Sequence, residues 1–300
     1  MPVNNATLQR NLLAHIRDTR QRLQQLTEGL SSGRKITSVS EDVAGANRLM
    51  QLRQNNTLIN SRLQNAQRGG TSLERAASVL QEISDSLSRA RQLASQAANG
   101  TYERSQREAM ARELDAILEQ SVSSIVDARR GDDYLFSGEK SGVAPYRIQR
   151  DAQGRIQDVT YRGASTPTRA RIGGEETVRV NFVAPRILDR KGELFRTLVD
   201  LRDAVETGNT GDINDMLGKL EKTGRGLRTS LGSLGARKNQ LNSYKKILRT
   251  TVNQNEKLKS KEGDTDFEKA AMQYRQRLSV LKSVLTLASR RSRISLANYI

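Results

Sequence analysis

Apolar residues recur along this chain at alternating spacings of three and four, and that pattern limits the fold more than any other feature. The first run is Leu12, Ile16, Thr19, Leu23, Leu26 and Leu30. The second, and cleanest, is Leu73, Ala76, Leu80, Ile83, Leu87, Ala90, Ala94 and Ala97. The last is Phe267, Ala271, Tyr274, Leu278, Leu281, Leu285 and Ala288. A fourth run, Leu227, Leu231, Leu234, Leu241, Leu248 and Val252, keeps the register with polar residues at intervening positions. Such spacing sets each series on one narrow stripe of a helix, the seam of a coiled coil. The many alanines imply close helix approach with modest burial per turn. Four Phe, seven Tyr and no Trp in 300 residues fit narrow seams better than a broad globular core. Disorder competes for a chain with 35% hydrophobic residues, and the sustained heptads argue against it.

The period changes in the middle. From about 140 to 190, Tyr146 and Ile148, then Val178, Val180, Phe182 and Ala184, alternate with polar residues as strands do. Arg150 to Arg155 reads as a hairpin turn with Gly154 at a positive φ, Val159 and Tyr161 lie on the returning strand, and Gly173-Gly174 marks another turn. Helix resumes at Leu194, Leu198, Leu201 and Val205, and Gly208 to Asp212 ends it, with Asp212 expected to cap the next helix. The predicted fold is mainly α: a long antiparallel coiled coil or helical bundle formed by the N- and C-terminal segments, with a small β-rich insertion in the middle. Its domains are nested: 1–45 with 262–300 as a terminal coiled coil, 46–139 with 191–261 as a helical rod, and 140–190 as an outer β-rich domain. A narrow stripe gives a lone helix little stability in water. Residues 1–35 and 265–300 are therefore expected to be poorly ordered in an isolated subunit and to order against each other and against neighbours.

The residue types that carry chemistry are scarce. There is no cysteine, hence no disulfide and no thiolate site. The single histidine, His15, falls beside Ile16 in the first seam and is expected to be half-buried there rather than catalytic. Asp132-Asp133 and Asp264/Asp266 lack the ligand alternation of a calcium loop. No phosphate-binding glycine–lysine loop or dinucleotide fingerprint is present. No metal, no cofactor and no catalysis are expected. The first residues lack the charged and apolar regions of a cleaved signal peptide, and no apolar run reaches transmembrane length, so membrane insertion is not expected. The net charge of +17 is uneven: residues 1–139 hold 18 Lys+Arg against 16 Asp+Glu, and residues 191–300 hold 22 against 12. A basic coiled-coil nucleic-acid binder would look like this in bulk. However, no five basic residues are consecutive and no aromatics interleave with them, so a solvated helix face is favoured and no nucleic-acid partner is expected.

Three ordered stretches resemble the flagellin family. Leu30-Ser31-Ser32-Gly33-Arg34-Lys35-Ile36-Thr37-Ser38, followed by Glu41-Asp42-Val43-Ala44-Gly45, is similar to its N-terminal signature. Leu93 to Thr101, with Gln96, Ala97, Asn99 and Gly100, is similar to its second, and Leu234-Gly235-Ala236 to Leu241 to its C-terminal stretch. Within the family, Asp133-Tyr134-Leu135-Phe136-Ser137-Gly138 and the closing Ser295 to Ile300 resemble the hook–filament junction branch, with a short filament flagellin as the second reading. The chain departs from the family in its strong positive charge. The resemblance implies a structural subunit exported unfolded through the flagellar type III channel, for which an absence of cysteine is suited. It implies a ring of copies of itself between a neighbouring hook-associated protein and filament flagellin, and a chaperone holding the C-terminal helix before export. On that reading Leu12, Ile16, Leu23, Leu26 and Leu30 meet Leu278, Leu281 and Leu285 in the assembled inner tube.

Overall fold

The computed structural model describes residues 3–36, 40, 42–188 and 193–297. Among these, seven helices and six short strands alternate in the order helical, β, helical. The chain divides into two compact units, Met1–Leu58 with Thr250–Ile300, and Ile59–Arg249.

The second unit is built on the part of α2 (Val43–Ala97) from Ile59 onward, α2 being a 55-residue helix whose sequence contains no proline. All eight positions of the second heptad series are at most 2% exposed. Gly100, at φ 68°, stops the helix just beyond Asn99. Glu103 and Gln106 then open α3 (Arg104–Val126), the Glu103 N–H donating to Gln106 Oε1 at 3.0 Å. An ion pair of 2.6 Å between Arg89 and Glu113 links the two helices. α3 packs on α5 (Leu194–Thr207), where Leu194, Leu198, Leu201 and Val205 are buried at 1% exposure or less, as their spacing predicts. Gly208, at φ 79°, ends α5, and α6 (Thr210–Gly263) follows after one residue. The cap here is Asn209, not the expected Asp212: Asn209 Oδ1 accepts from the N–H of Gly211 and of Asp212. Asp212 instead sits in the first turn and accepts from Asn209 Nδ2 at 2.6 Å. Aspartate and asparagine are equally good caps, so spacing alone did not separate them.

Three separate two-stranded antiparallel ladders fill the middle. Strand pairing begins upstream of residue 140, with β1 (Arg129–Arg130) against β2 (Asp133–Tyr134). β3 (Tyr146–Arg150) and β4 (Ile156–Tyr161) form the expected hairpin, in which the register slips once so that Arg150 faces Ile156. Its turn is held by Asp151, whose Oδ1 accepts from the N–H of Gln153 and of Arg155 at 2.9 Å each. Gly154 has φ 83° there, as expected. β5 (Arg169–Arg171) and β6 (Thr177–Arg179) flank the Gly173-Gly174 turn. Beyond β6 the alternation of buried Val180, Phe182 and Ala184 continues, but the ladder stops. The buried Asn181 side chain instead donates to the Gly138 carbonyl and accepts from the Thr168 N–H. The short α4 (Ala184–Leu188) follows. Tyr146, Ile156, Phe136 and Phe182 belong to the same apolar cluster as the α2, α3 and α5 seams. The β segment thus shares the helical core rather than making its own. Tyr146 anchors it, lying edge-on to Phe195 at 5.1 Å and to Tyr161 at 5.4 Å.

In the first unit, α1 (Val3–Ser32) packs against α7 (Phe267–Ala297). The start of α2 meets the end of α6 through an Arg48–Glu262 ion pair of 3.1 Å. Asn56, only 6% exposed, donates to Glu256 and accepts from Asn255. His15 is exposed rather than half-buried; it falls between the Leu12 and Ile16 stripe and solvent, where the helix turns it outward.

Candidate assembly surface

The two terminal heptad helices meet the rest of the first unit at one corner. Gly33, at φ 70°, ends α1, its N–H reaching the Gly29 carbonyl at 2.9 Å. The Lys35 N–H then donates to the Gly263 carbonyl at 2.7 Å, and the Thr265 N–H to the Gly33 carbonyl at 2.9 Å. Arg34 and Asp264 form an antiparallel bridge between these bonds. Asp266 caps α7 by accepting from the Lys269 N–H at 3.0 Å. The two terminal helices run away from this corner antiparallel, side by side.

Along that pair the predicted residues differ in burial. Leu23 is 8% exposed and buried, whereas Leu12, Ile16, Leu26, Leu30, Leu278 and Leu281 are half-buried. Leu285 is 40% exposed. Outside the seam, Leu13, Met272, Val280 and Leu287 are exposed, as is Phe267 beside the corner. Only the wider context separates these from seam positions, because a heptad search scores one stripe and passes over a second apolar row. The contrast with the second unit is sharp, since there every seam position of α2 is buried. Apolar side chains on both terminal helices thus remain in water after the two have packed.

The corner is also charged. Arg34, Lys35, Lys261, Lys269 and Arg277 surround a shallow hollow that contains Asp264 and Asp266. Nearby, the Lys259 ammonium, with help from Asn56, holds the Glu256 carboxyl below the ordinary carboxylate range against some burial.

The signature residues divide by role. Ser31 and Ser32 hydroxyls donate to the Glu28 carbonyl, and Asp42 Oδ1 accepts from the Gly45 N–H at 2.8 Å, which starts α2. Gly45 has no room for a side chain, because a Cβ would meet the Asp42 carboxyl and Ile36 Cδ1. Ala44 is exposed. Ala97 is buried, Gln96 is exposed and accepts from the Asn99 N–H through its carbonyl, and Asn99-Gly100 forms the helix stop. Leu234 is buried mid-helix in α6, with Gly235 and Ala236 exposed beside it. Thr37, Ser38, Glu41 and the closing Asn298 to Ile300 lie outside the described residues. No group of acidic or histidine ligands suited to a metal occurs among the described residues, and no described helix is long and apolar enough to cross a membrane.

Helical halves pair around a β segment, with the α2 seam buried in one unit and the terminal seam partly exposed in the other. Residues 3–141 match the family model of the bacterial flagellin N-terminal helical region, and the chain is flagellin-like. It is 34% identical over 109 residues to polar flagellin E of Vibrio parahaemolyticus, spanning 36% of this chain and only 29% of that flagellin's length. It is 27% identical over 222 residues to flagellar hook-associated protein 3 of Salmonella typhimurium, covering 70% of this chain and 69% of that protein. A solved flagellar hook-associated protein from Vibrio parahaemolyticus has the same fold, with a TM-score of 0.66 over 75% of this chain and all of that one at 21% identity.

Proposed function

We propose that this chain is a structural, non-catalytic subunit of the bacterial flagellum, seated at the hook–filament junction and assembled through α1 and α7. The observation that carries the reading is the half-open seam of the terminal helices, joined to the match with hook-associated protein 3 over most of both chains. Copies of the chain form a ring, with a hook-associated protein on one side and filament flagellin on the other. Residues 1–45 with 262–300 line the inner tube, 46–139 with 191–261 make the rod, and 140–190 face outward. The subunit travels through the type III channel unfolded, and a chaperone covers the apolar row of α7 until then. In the free subunit the terminal helices are loose and become fixed only against sister molecules, because a two-helix pair with an exposed seam lacks the burial to stand alone.

The test compares Leu23→Ala and Leu285→Asp in the free protein and in swimming cells. Neither variant should shift the melting of the free subunit, and Leu285→Asp should abolish motility. A Leu23→Ala melt lowered by about 2–5 kcal/mol, the usual cost of truncating a fully buried leucine, would mean that the pair is an ordinary intrachain core. A second reading, a short filament flagellin, draws on the 34% identity to polar flagellin E. It predicts long filaments from purified protein on seeding, whereas the junction reading predicts none.

A further inference from the structure

A groove of about 570 Å³ lies in the second unit between the β5–β6 hairpin and α6. Its floor is apolar: Leu73, Ile172, Val178 and Leu241 are all under 9% exposed. Its rim is cationic. Arg169 and Arg179 are direct cross-strand partners, and Arg237 reaches the same groove from α6. Like charges placed opposite each other in a ladder weaken it. Burial holds the half-buried Arg179 guanidinium below its ordinary range, and Arg237, Arg169 and Arg186 push it further down. A single carboxylate, Glu176, stands among the groove's lining residues. The arrangement therefore costs stability in the free protein and is relieved by an incoming anion.

Several occupants would bring that anion, and the chemistry separates them. A second copy of this chain, with 50 Lys+Arg against 33 Asp+Glu, is a poor source of an acidic segment. A bare inorganic anion or a phosphodiester chain would use the arginines and leave the apolar floor wet. The fork of a guanidinium matches a carboxylate in two hydrogen bonds, and a groove of this size with an apolar floor suits a ligand that is itself part apolar. We propose that this groove binds a segment of an acidic partner protein in which carboxylate and apolar side chains alternate. Its carboxylates fork onto Arg179 and Arg237, and its apolar side chains lie over Leu73 and Leu241. The reading is independent of where the subunit sits in the flagellum.

The experiment is fluorescence anisotropy on the full-length protein with a labelled hexapeptide alternating glutamate and leucine, its glutamine isostere, and pyrophosphate as competitor. The glutamate peptide should bind saturably with a Kd below about 1 mM, and more weakly as salt is added. Charge-assisted hydrogen bonds of this kind are lost in the isostere and in Arg179→Gln/Arg237→Gln, so each should bind about tenfold more weakly or worse. Arg237 is exposed on a helix, so Arg237→Gln alone keeps the fold and should show part of the loss. Absence of saturable binding, equal binding of the isostere, or equal binding by the double variant with an unchanged melt would overturn the proposal. Tighter binding of pyrophosphate than of the peptide would overturn it in favour of a phosphate site.

Discussion

Arg202 on α5 is only 4% exposed at its side chain, yet it bonds Asp115 of α3 at 2.8 Å through Nη1. The same nitrogen donates to the Ile156 carbonyl at the root of β4, also at 2.8 Å, while Nε reaches Asp203. One guanidinium thus joins two helices and the hairpin. Burial opposes its charge, and the bonds to Asp115 and Asp203 more than offset that, keeping the group above its usual range. Removing one partner of a buried pair leaves the other uncompensated, at a cost of about 3–5 kcal/mol. Asp115 is 29% exposed, so water softens the loss on that side. Arg202→Ala should therefore destabilise by about 3 kcal/mol in urea titration, and Asp115→Ala by less.

Gly69 and Gly70 are neighbours inside α2 and should respond to alanine with opposite signs. A Cβ at Gly69 would come within 2.6 Å of both methyl carbons of Val178, so the helix and the β5–β6 hairpin would have to part. A Cβ at Gly70 meets only Leu241 Cδ2 at 3.6 Å and Lys245 Nζ at 3.7 Å, ordinary contact distances. Overpacking at Gly69→Ala should cost about 1–3 kcal/mol. Gly70→Ala should gain about 1 kcal/mol from helix propensity. Paired thermal melts measure both.

Asn56 places an amide inside the α2–α6 pairing of the first unit, where its Nδ2 meets Glu256 Oε1 at 2.7 Å and its Oδ1 meets Asn255 Nδ2 at 2.8 Å. A polar residue in such a seam fixes register at the expense of stability. Asn56→Leu should raise the thermal midpoint and add higher oligomers in sedimentation velocity. A variant that is less stable and wholly monodisperse would contradict this role.

Tyr161 supplies a pH-dependent test. Burial pushes its phenol up to about 12. Its single hydroxyl proton is shared between the carbonyls of Phe136, at 3.1 Å, and Ala164, at 3.0 Å, an arrangement that requires the protonated form. A raised acid constant in the folded state means its stabilising contribution is complete below pH 10, the value for an unperturbed tyrosine, and is lost as pH rises toward 12. Difference titration of phenolate absorbance against Tyr161→Phe should show one late-ionising group missing in the variant. The wild type should also lose stability relative to that variant across this window.

The helices were legible in the sequence because heptads and stop signals are local. The second seam, the stops at Gly33, Asn99-Gly100 and Gly208, and the Asp151–Gly154 turn all follow from neighbours within a few residues. What was not legible depends on contacts between distant segments. The ladder of β1 and β2 is two residues long on each side and carries no period. The β segment's share in the helical core rests on Tyr146 meeting Phe195, 49 positions away. His15 was misplaced by its adjacency to Ile16, although neighbours in sequence point 100° apart around a helix. The cationic groove could not be seen at all, since Arg169, Arg179 and Arg237 come together only through a hairpin and a packed helix. The residues expected at the assembly surface lie on α1 and α7, and their spacing carried no measure of how much of each side chain would stay exposed.

The clasp between Lys35 and Gly263 and between Thr265 and Gly33 uses main-chain atoms alone. The longitudinal alignment of the first and last helices is therefore indexed by the backbone, like a ruler pinned at its zero mark, and does not rely on which side chains follow. Substitutions farther along either helix can retune what it touches without sliding one helix past the other. Tension applied to α1 is shared with the α6–α7 connection as shear across those two bonds.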